Sequence, residues 1–163
     1  MVSLRCITWI LIPLILLGCK RPLESKGAVF ADALTRQASK GTGALVVFDE
    51  LTPFEWDHVY VVGPYQRLNY VNEHLSTPLP DLESGFADEG ECIYVFSLHG
   101  SAVAIARHQR KHVSCVELVA ADATAFDPLS AKFTIEMPRH GAHLSLRPLS
   151  SNEPLQPTAL DGG

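Results

Sequence analysis

The sequence predicts a single α+β domain, in which a mostly antiparallel sheet carries one or two helices packed on one face. The length of 163 residues favours one domain. Short segments of alternating apolar residues are joined mostly by tight turns, which is typical of antiparallel strands. Two further segments have apolar residues at helical spacing, and no repeat of about 20–50 residues indicates a solenoid.

The first half of the domain is expected to contain a helix, two strands and a second helix. Residues 28–40 are rich in alanine, have apolar residues three and four positions apart, and are followed by glycines, so they predict a helix. The apolar segment 44–49 predicts a short strand, and the alternation in 56–63 predicts another. Pro64 then begins a second predicted helix over 65–75, because proline is favoured at the first position of a helix.

The second half is expected to contain a loop and two hairpins. Residues 76–91 contain five carboxylates, several prolines and glycines, and no lysine or arginine, which indicates an acidic surface loop. Alternating segments on either side of a turn predict hairpins at 92–107 and at 132–146. Between them, 109–118 is expected to be an irregular crossing segment.

The composition excludes several classes of protein. Apolar residues make up 47 % of the chain, which is ordinary for a globular protein and excludes wholesale disorder. The net charge of −5 argues against nucleic acid as a partner, since such proteins usually have a basic surplus. The chain contains no glycine-rich phosphate-binding loop, and we expect no cofactor.

The amino-terminal segment has the pattern of an export signal. Arg5 precedes an apolar run from Cys6 to Leu17. A membrane span needs about 20 apolar residues, so this run is short for one. A cationic start, a short apolar stretch and small residues at its end predict a secretory signal peptide. A permanent transmembrane helix is the alternative.

The end of this run resembles the lipobox of bacterial lipoproteins. The residues that carry the resemblance are Leu16, Leu17, Gly18 and Cys19. The resemblance implies that the signal is cut before Cys19, and that this cysteine and the new amino terminus are acylated. Lys20 follows in place of aspartate, which by family sorting rules implies the outer membrane, with the domain facing the periplasm. In a host with a single membrane, the domain would face outside.

These features together predict four regions. Residues 1–18 are the signal peptide, and 19–27 are the lipidated cysteine and a tether with almost no apolar surface. Residues 28–147 are the α+β domain. The segment 148–163 is rich in proline and serine and is expected to be a disordered tail.

Two of the four cysteines are left for the folded domain. Cys6 leaves with the signal and Cys19 carries lipid, so Cys92 and Cys115 remain in an oxidising compartment and predict a disulfide. In a plain three-stranded meander their strands would lie about 9.6 Å apart, beyond the reach of a disulfide of about 7 Å. Either the bridge is absent or 109–118 folds back differently, and we favour the second interpretation.

Residues 56–65 read WDHVYVVGPY, and a helix and an apolar hairpin are expected to follow. This pattern resembles a group of small bacterial envelope lipoproteins that carry a W-D-x-V-Y-x-x-x-P-Y motif. The resemblance spans roughly residues 44–147. It implies an architecture and an anchored location in the cell envelope, and it implies no reaction.

The motif has a structural interpretation. Val59 and Val61 point to one face of the predicted strand, and Tyr60 and Val62 to the other. Both faces are apolar, so we expect a central strand that is covered on both sides. The Trp56 side chain is expected to be packed in the apolar core or at its rim.

The same motif also has a functional interpretation. Trp56, Tyr60 and Tyr65 would form an exposed aromatic patch for a partner, since aromatic residues are enriched in binding hot spots. Asp57 is expected to cap a turn or to pair with Arg67.

A basic cluster adds a second candidate binding surface. Arg107, Arg110 and Lys111 are suited to contact lipid phosphate, cell-wall carboxylates or an acidic protein. A simply solvated cluster is the alternative.

Metal binding and catalysis have weaker signals. His108, His112, His140 and His143 are candidate ligands, but no set has zinc spacing, so solvated surface histidines and no metal are expected. A nucleophile motif is missing, and the serines around His99 (Ser97 and Ser101) are close to it only because they flank a turn.

The sequence therefore favours a non-enzymatic, lipid-anchored envelope protein that binds another protein. An immunity protein, an enzyme inhibitor or an envelope accessory factor would each fit. The alternatives are a small-ligand or metal-binding lipoprotein that uses the histidines, and an envelope enzyme that uses Ser101, His99 or the acidic loop.

Overall fold

The described part of the chain forms two antiparallel sheets and four helices. A computed structural model describes residues 22–82, 85, 87–120, 125–138 and 143–149. The strands are β1 Leu45–Val47, β2 His58–Val62, β3 Glu91–Leu98, β4 Ser101–Gln109, β5 Ala125–Phe126, β6 Lys132–Glu136 and β7 Ser145–Pro148. The helices are α1 Pro22–Ala38, α2 Phe48–Leu51, α3 Asn69–Asn72 and α4 Val116–Ala120.

The strands divide between a four-stranded sheet in the order β4-β3-β2-β5 and a three-stranded sheet in the order β1-β6-β7. All ladders within the two sheets are antiparallel, which confirms the predicted α+β class. The division into two sheets differs from the single sheet that we expected. It arises because β1 pairs with β6, whereas α2 and the bend at Pro53 turn the chain away before β2 begins.

One apolar core lies between α1, the four-stranded sheet and the three-stranded sheet. The ring of Phe30 from α1 lies at its centre, 4.9 Å between centroids from both Phe48 and Phe96 in edge-on contacts. Val59 and Val61 of β2 belong to this core. Buried aromatic rings in such contacts contribute about 0.5–1.5 kcal/mol per pair beyond their area.

A second apolar cluster covers the opposite face of β2 and β3. Tyr60 and Val62 of β2 pack there against Leu68, Val71 and Leu75, from the segment that contains α3. β2 is therefore a central strand covered on both sides, as its two apolar faces predict.

The first helix begins earlier than the sequence indicated. α1 starts at Pro22, where proline is tolerated, instead of at residue 28. Residues 22–27, predicted to be part of a tether, belong to this helix. An ideal Cβ at Gly27 would lie only 1.8 Å from the carbonyl oxygen of Ile105, so a glycine is needed where α1 crosses β4.

The second predicted helix is much shorter than expected. Only Asn69–Asn72 of the segment 65–75 is α-helical. Tyr65 is the first residue of the predicted helix, and its φ of 63° lies in the left-handed region, so the chain cannot be α-helical there. The Leu68 amide donates to the carbonyl of Gly85, 3.3 Å away, so a loop partner replaces a helical one.

The disulfide between Cys92 and Cys115 is confirmed, with Cα atoms 6.0 Å apart. A plain meander would have kept the two cysteines too far apart for a disulfide. The chain instead leaves β4 and crosses to β7. Ser114 forms an isolated parallel bridge with Ser145 there. The predicted irregular crossing segment is therefore confirmed as far as Cys115, after which α4 begins.

The last predicted hairpin is confirmed by the pairing of β6 with β7. The domain extends past the predicted end at residue 147, because Pro148 pairs with Phe133 in the sheet and the Leu149 amide donates to the Lys132 carbonyl at 2.9 Å. Residues 139–142, the signal segment with Cys19, and the rest of the predicted tail, 150–163, lie outside the described residues. None of the helices that are described is long and apolar enough to cross a membrane.

Candidate functional site

The four-stranded sheet has two ends, and they carry different parts of the motif at 56–65. β2 runs from His58 to Val62, so Asp57 precedes it and Tyr65 follows it. Five extended residues measure about 17 Å, so the two side chains cannot belong to one small site. We call these the Asp57 end and the Tyr65 end. β3 begins and β4 stops at the Tyr65 end.

The three aromatic residues of the motif do not form an exposed patch. Trp56 is buried in the first core, with its ring edge-on to Phe96 at 5.3 Å and its indole N–H donating to Thr52 Oγ1 at 3.0 Å. Tyr60 is buried on the opposite face of the sheet. The functional interpretation is wrong for these two residues, because the strand is covered on both sides.

Asp57 fastens the start of β2 to the turn between β3 and β4. Its Oδ2 accepts a hydrogen bond from the His99 amide at 2.6 Å, and its Oδ1 accepts one from Ser97 Oγ at 3.1 Å. Its Oδ1 also lies 3.2 Å from His58 Nδ1. Partial desolvation raises the pKa of Asp57, but these hydrogen bonds outweigh it and hold the pKa below its ordinary value. Of the two expected roles, turn capping is the one observed.

Tyr65 is the motif residue that faces solvent. It is 65 % exposed and holds a φ of 63°, which is uncommon for a residue other than glycine. Its amide donates to the Ala87 carbonyl at 3.1 Å. The Glu89 carboxylate near its hydroxyl raises the pKa of Tyr65.

The basic cluster lies at the same end and is tied to the acidic loop. Arg110 Nη1 donates to the Glu89 carbonyl at 2.8 Å. Arg107 Nη1 donates to Glu91 Oε2 at 3.1 Å. Lys111 is exposed beside them. The expected candidates Tyr65, Arg107, Arg110 and Lys111 therefore meet with Glu89 and Glu91 in what we call the Tyr65 surface.

The two glutamates were not singled out by the sequence reasoning, which treated the acidic loop as one flexible unit. A turn at His99 and Gly100 alone would place Glu91 opposite His108. The β-bulge between Phe96 and Ser97 shifts the register by one residue, so Glu91 lies opposite Gln109 and Arg107 is its diagonal neighbour.

His108 is not the solvated histidine that we expected, whereas His112 and His143 are exposed as expected. His108 is only 2 % exposed, with Nε2 3.0 Å from Thr35 Oγ1 and its ring 5.9 Å from that of His112. Burial, helped by the neighbouring His112, lowers the pKa of His108 to about 4. His143 is exposed, and His140 lies outside the described residues. No three histidine, cysteine or acidic side chains converge as a metal site anywhere in the ranges that the structure describes.

The serines and the histidine considered for catalysis lie around the turn at the Asp57 end, away from the acidic loop. Ser97 Oγ donates its proton to Asp57 instead of to an imidazole, so this hydroxyl lacks the base that a nucleophile requires. His99 Nδ1 lies 3.8 Å from Asp57 Oδ2, and Ser101 is exposed. The arrangement explains how the turn is held, and it does not assemble a catalytic triad.

In comparisons with known proteins, the chain matches no protein-family model, no curated protein and no solved structure.

Proposed function

We propose that this chain is a lipid-anchored envelope protein that binds another protein through the Tyr65 surface. The observation that carries the proposal is the presentation of Tyr65, which is an exposed aromatic ring on a left-handed backbone. Such a conformation costs on the order of 1–3 kcal/mol and persists only where the surroundings enforce it.

The surroundings of Tyr65 do enforce it. The Gly63 amide donates to Gln66 Oε1 at 2.9 Å, and the Ala87 amide donates to the Gln66 carbonyl at 3.0 Å. Together with the bond from the Tyr65 amide to Ala87, these contacts fix the turn around the ring. A preorganised tyrosine beside an arginine has the composition of a binding hot spot, in which little side-chain freedom remains to be lost.

The position of the proposed anchor suits this surface. α1 runs along β4 in the same direction, since Gly27 contacts Ile105 and Thr35 contacts His108. The helix therefore starts at the Asp57 end. Two residues lie between Cys19 and Pro22, so the two Cα atoms are about 10 Å apart at most. With lipid on Cys19, the Tyr65 surface would face away from the bilayer, toward a partner that approaches from the periplasm.

The charges of the surface favour a partner with both signs of charge. The Glu91 carboxylate is partly neutralised by Arg107, whereas Arg110 binds the main-chain carbonyl of Glu89 and Lys111 is exposed. An immunity protein, an inhibitor of an envelope hydrolase, or an accessory factor in envelope assembly would each use such a surface. Charge complementarity at the rim would speed association and weaken with salt.

The test is affinity capture of the full chain from envelope extracts, with bound proteins quantified by mass spectrometry. We expect one stoichiometric partner whose recovery falls at least tenfold with Tyr65→Ser and with Arg110→Glu. Leu129→Ser removes another exposed apolar side chain, at the opposite end of the sheet, and should leave recovery unchanged. A partner that all three variants retain would show that binding uses a different surface, and recovery of lipid or cell-wall fragments alone would replace the protein partner with a ligand.

A further inference from the structure

An open groove of about 500 Å³ lies between α1 and the segment 50–53, apart from the Tyr65 surface. Its lining comes from one stripe of the helix and from the facing segment: Val29, Ala33, Arg36, Gln37, Lys40, Glu50, Leu51, Thr52 and Pro53. The helical residues are three or four positions apart and so share a face. This face is next to the buried stripe of α1, and none of the described residues covers it.

The start of the groove is apolar. Val29 is 47 % exposed although it is a large aliphatic residue. Ala33 and Leu51 are half-buried beside it, and Pro53 is exposed. An apolar side chain of a partner would remove this surface from water at a gain of about 25 cal/mol per Å².

The other end of the groove is cationic and partly preorganised. Arg36 lies in the last turn of α1 and Lys40 follows the end of the helix, and neither forms an ion pair with a described residue. Lys40 Nζ donates to Gln37 Oε1 at 2.7 Å, and Gln37 Nε2 donates to the Leu45 carbonyl. The ammonium group is therefore held in place through β1. Glu50 is the one carboxylate in the lining, so the groove carries a positive excess in a chain whose net charge is −5.

The facing wall is fixed by the core. Thr52 Oγ1 accepts the indole N–H of Trp56 at 3.0 Å and donates to the Asp49 carbonyl at 3.3 Å. The buried tryptophan of the motif thus positions the wall of the groove.

We infer that this groove binds an extended segment of another protein, with a large apolar side chain and one or two carboxylates two to four residues away. Val29 and Arg36 are seven residues apart on α1, which is about 10 Å along the axis. An extended chain covers that distance in about three residues. The open shape favours a chain that lies along the helix, because a small ligand would remain largely uncovered there.

The test is selection from a random octapeptide library displayed on phage, with the full chain immobilised. We expect enrichment of peptides with a large apolar residue and a glutamate or aspartate at the predicted spacing. Synthetic peptides from that selection should bind at least tenfold more weakly, by fluorescence anisotropy, to Arg36→Glu/Lys40→Glu and to Val29→Ser. Lys132→Glu is the matched charge reversal on an exposed strand position outside the groove and should bind normally, as should Tyr65→Ser.

Several results would overturn the inference. Failure to enrich, enrichment of basic peptides, or equal binding by the groove variants would each exclude it. Tenfold tighter binding after deletion of 150–163 would identify the occupant as the chain's own carboxyl-terminal segment. A dimer in analytical ultracentrifugation that Arg36→Glu/Lys40→Glu dissociates would identify it as a second copy.

Discussion

Tyr94 places a polar atom inside the first core, where none of the described residues pairs with it. Its side chain is fully buried, and its hydroxyl forms no hydrogen bond to any described residue. Burial raises the pKa of Tyr94. A buried hydroxyl without a partner costs about 1–3 kcal/mol, although the ring itself contributes apolar contacts.

Removing that hydroxyl should stabilise the protein. Tyr94→Phe keeps the ring and its contacts with Phe30 and Phe48, so we expect a gain of about 1 kcal/mol in the free energy of unfolding. Urea denaturation monitored by circular dichroism measures it. A loss of stability would mean that the hydroxyl has a partner, such as an ordered water.

His108 makes the stability of the fold depend on pH. Its pKa is about 4 in the folded chain against an ordinary 6.5, because burial disfavours the charged ring and His112 lies beside it. The facing Thr35 is neutral, and no carboxylate forms an ion pair with the ring among the described residues. Between these two pKa values the unfolded chain binds the proton more readily, so stability present above pH 6.5 is lost as the pH falls toward 4.

The corresponding prediction concerns how steeply the free energy of unfolding changes with pH. Unfolding free energies measured between pH 7 and pH 4 should fall by up to about 3 kcal/mol through His108 alone. His108→Leu should flatten this fall whatever its stability at pH 7. His99→Gln, a change at an exposed histidine, should keep the slope of the unaltered chain. An unchanged slope in His108→Leu would assign the pH dependence to other groups.

At the scale of elements, local patterns in the sequence predicted the features that depend on contacts between neighbouring residues. The hairpin of β3 and β4 has its turn where His99 and Gly100 indicate it, and the two-sided burial of β2 follows from its alternation. The sequence singled out the aromatic and basic residues of the Tyr65 surface, but it treated Glu89 and Glu91 only as part of an acidic loop. The meeting of all these residues depends on the register of that hairpin, which the β-bulge between Phe96 and Ser97 shifts by one residue from the register that the turn alone would give.

Other elements depend on distant partners and could not be predicted in this way. The beginning of α1 was obscured because Pro22 and Gly27 are poor helix formers. Gly27 is there because the backbone of β4 comes so close. The split into two sheets depends on pairing between β1 and β6, which no local pattern specifies.

The crossing of α1 over β4 gives a direct test. Helix propensity alone favours Gly27→Ala by about 1 kcal/mol. A Cβ at this site would collide with the backbone of Ile105, and overpacking of this kind costs about 1–3 kcal/mol or more. We therefore expect a net loss of about 2 kcal/mol in thermal or urea unfolding. Gly90→Ala is the control, because a Cβ there meets only an ordinary contact with Asp88 at 3.9 Å, and its stability should be close to that of the parent chain.

For the whole molecule, the direction of α1 predicts how an anchored domain would be oriented. Leu129 is 81 % exposed and follows β5, whose Phe126 pairs with Val59 at the start of β2. It therefore lies at the Asp57 end, where α1 begins. A fluorophore on Leu129→Cys should be quenched by nitroxide lipids more strongly than one on Tyr65→Cys, when the acylated chain is reconstituted in vesicles.

The matched control separates orientation from anchoring. Cys19→Ser should release the chain from vesicles and abolish both signals. Equal quenching at the two positions of the acylated chain would contradict the orientation while leaving the anchor in place. Vesicle binding that survives Cys19→Ser would instead contradict lipidation as the means of attachment.

The pairing of β1 with β6 has a consequence for the order in which the chain matures. Leu45 and its partner Thr134 are about ninety residues apart in the sequence. A polypeptide that emerges amino terminus first would expose the short apolar β1 edge until almost the entire domain has been released. The β3–β4 hairpin joins two strands that are consecutive in the sequence, so it can form as soon as both strands have emerged. Completion of the three-stranded sheet is therefore expected to be the late event of folding, and β1 is the segment that would need protection from wrong pairing until then.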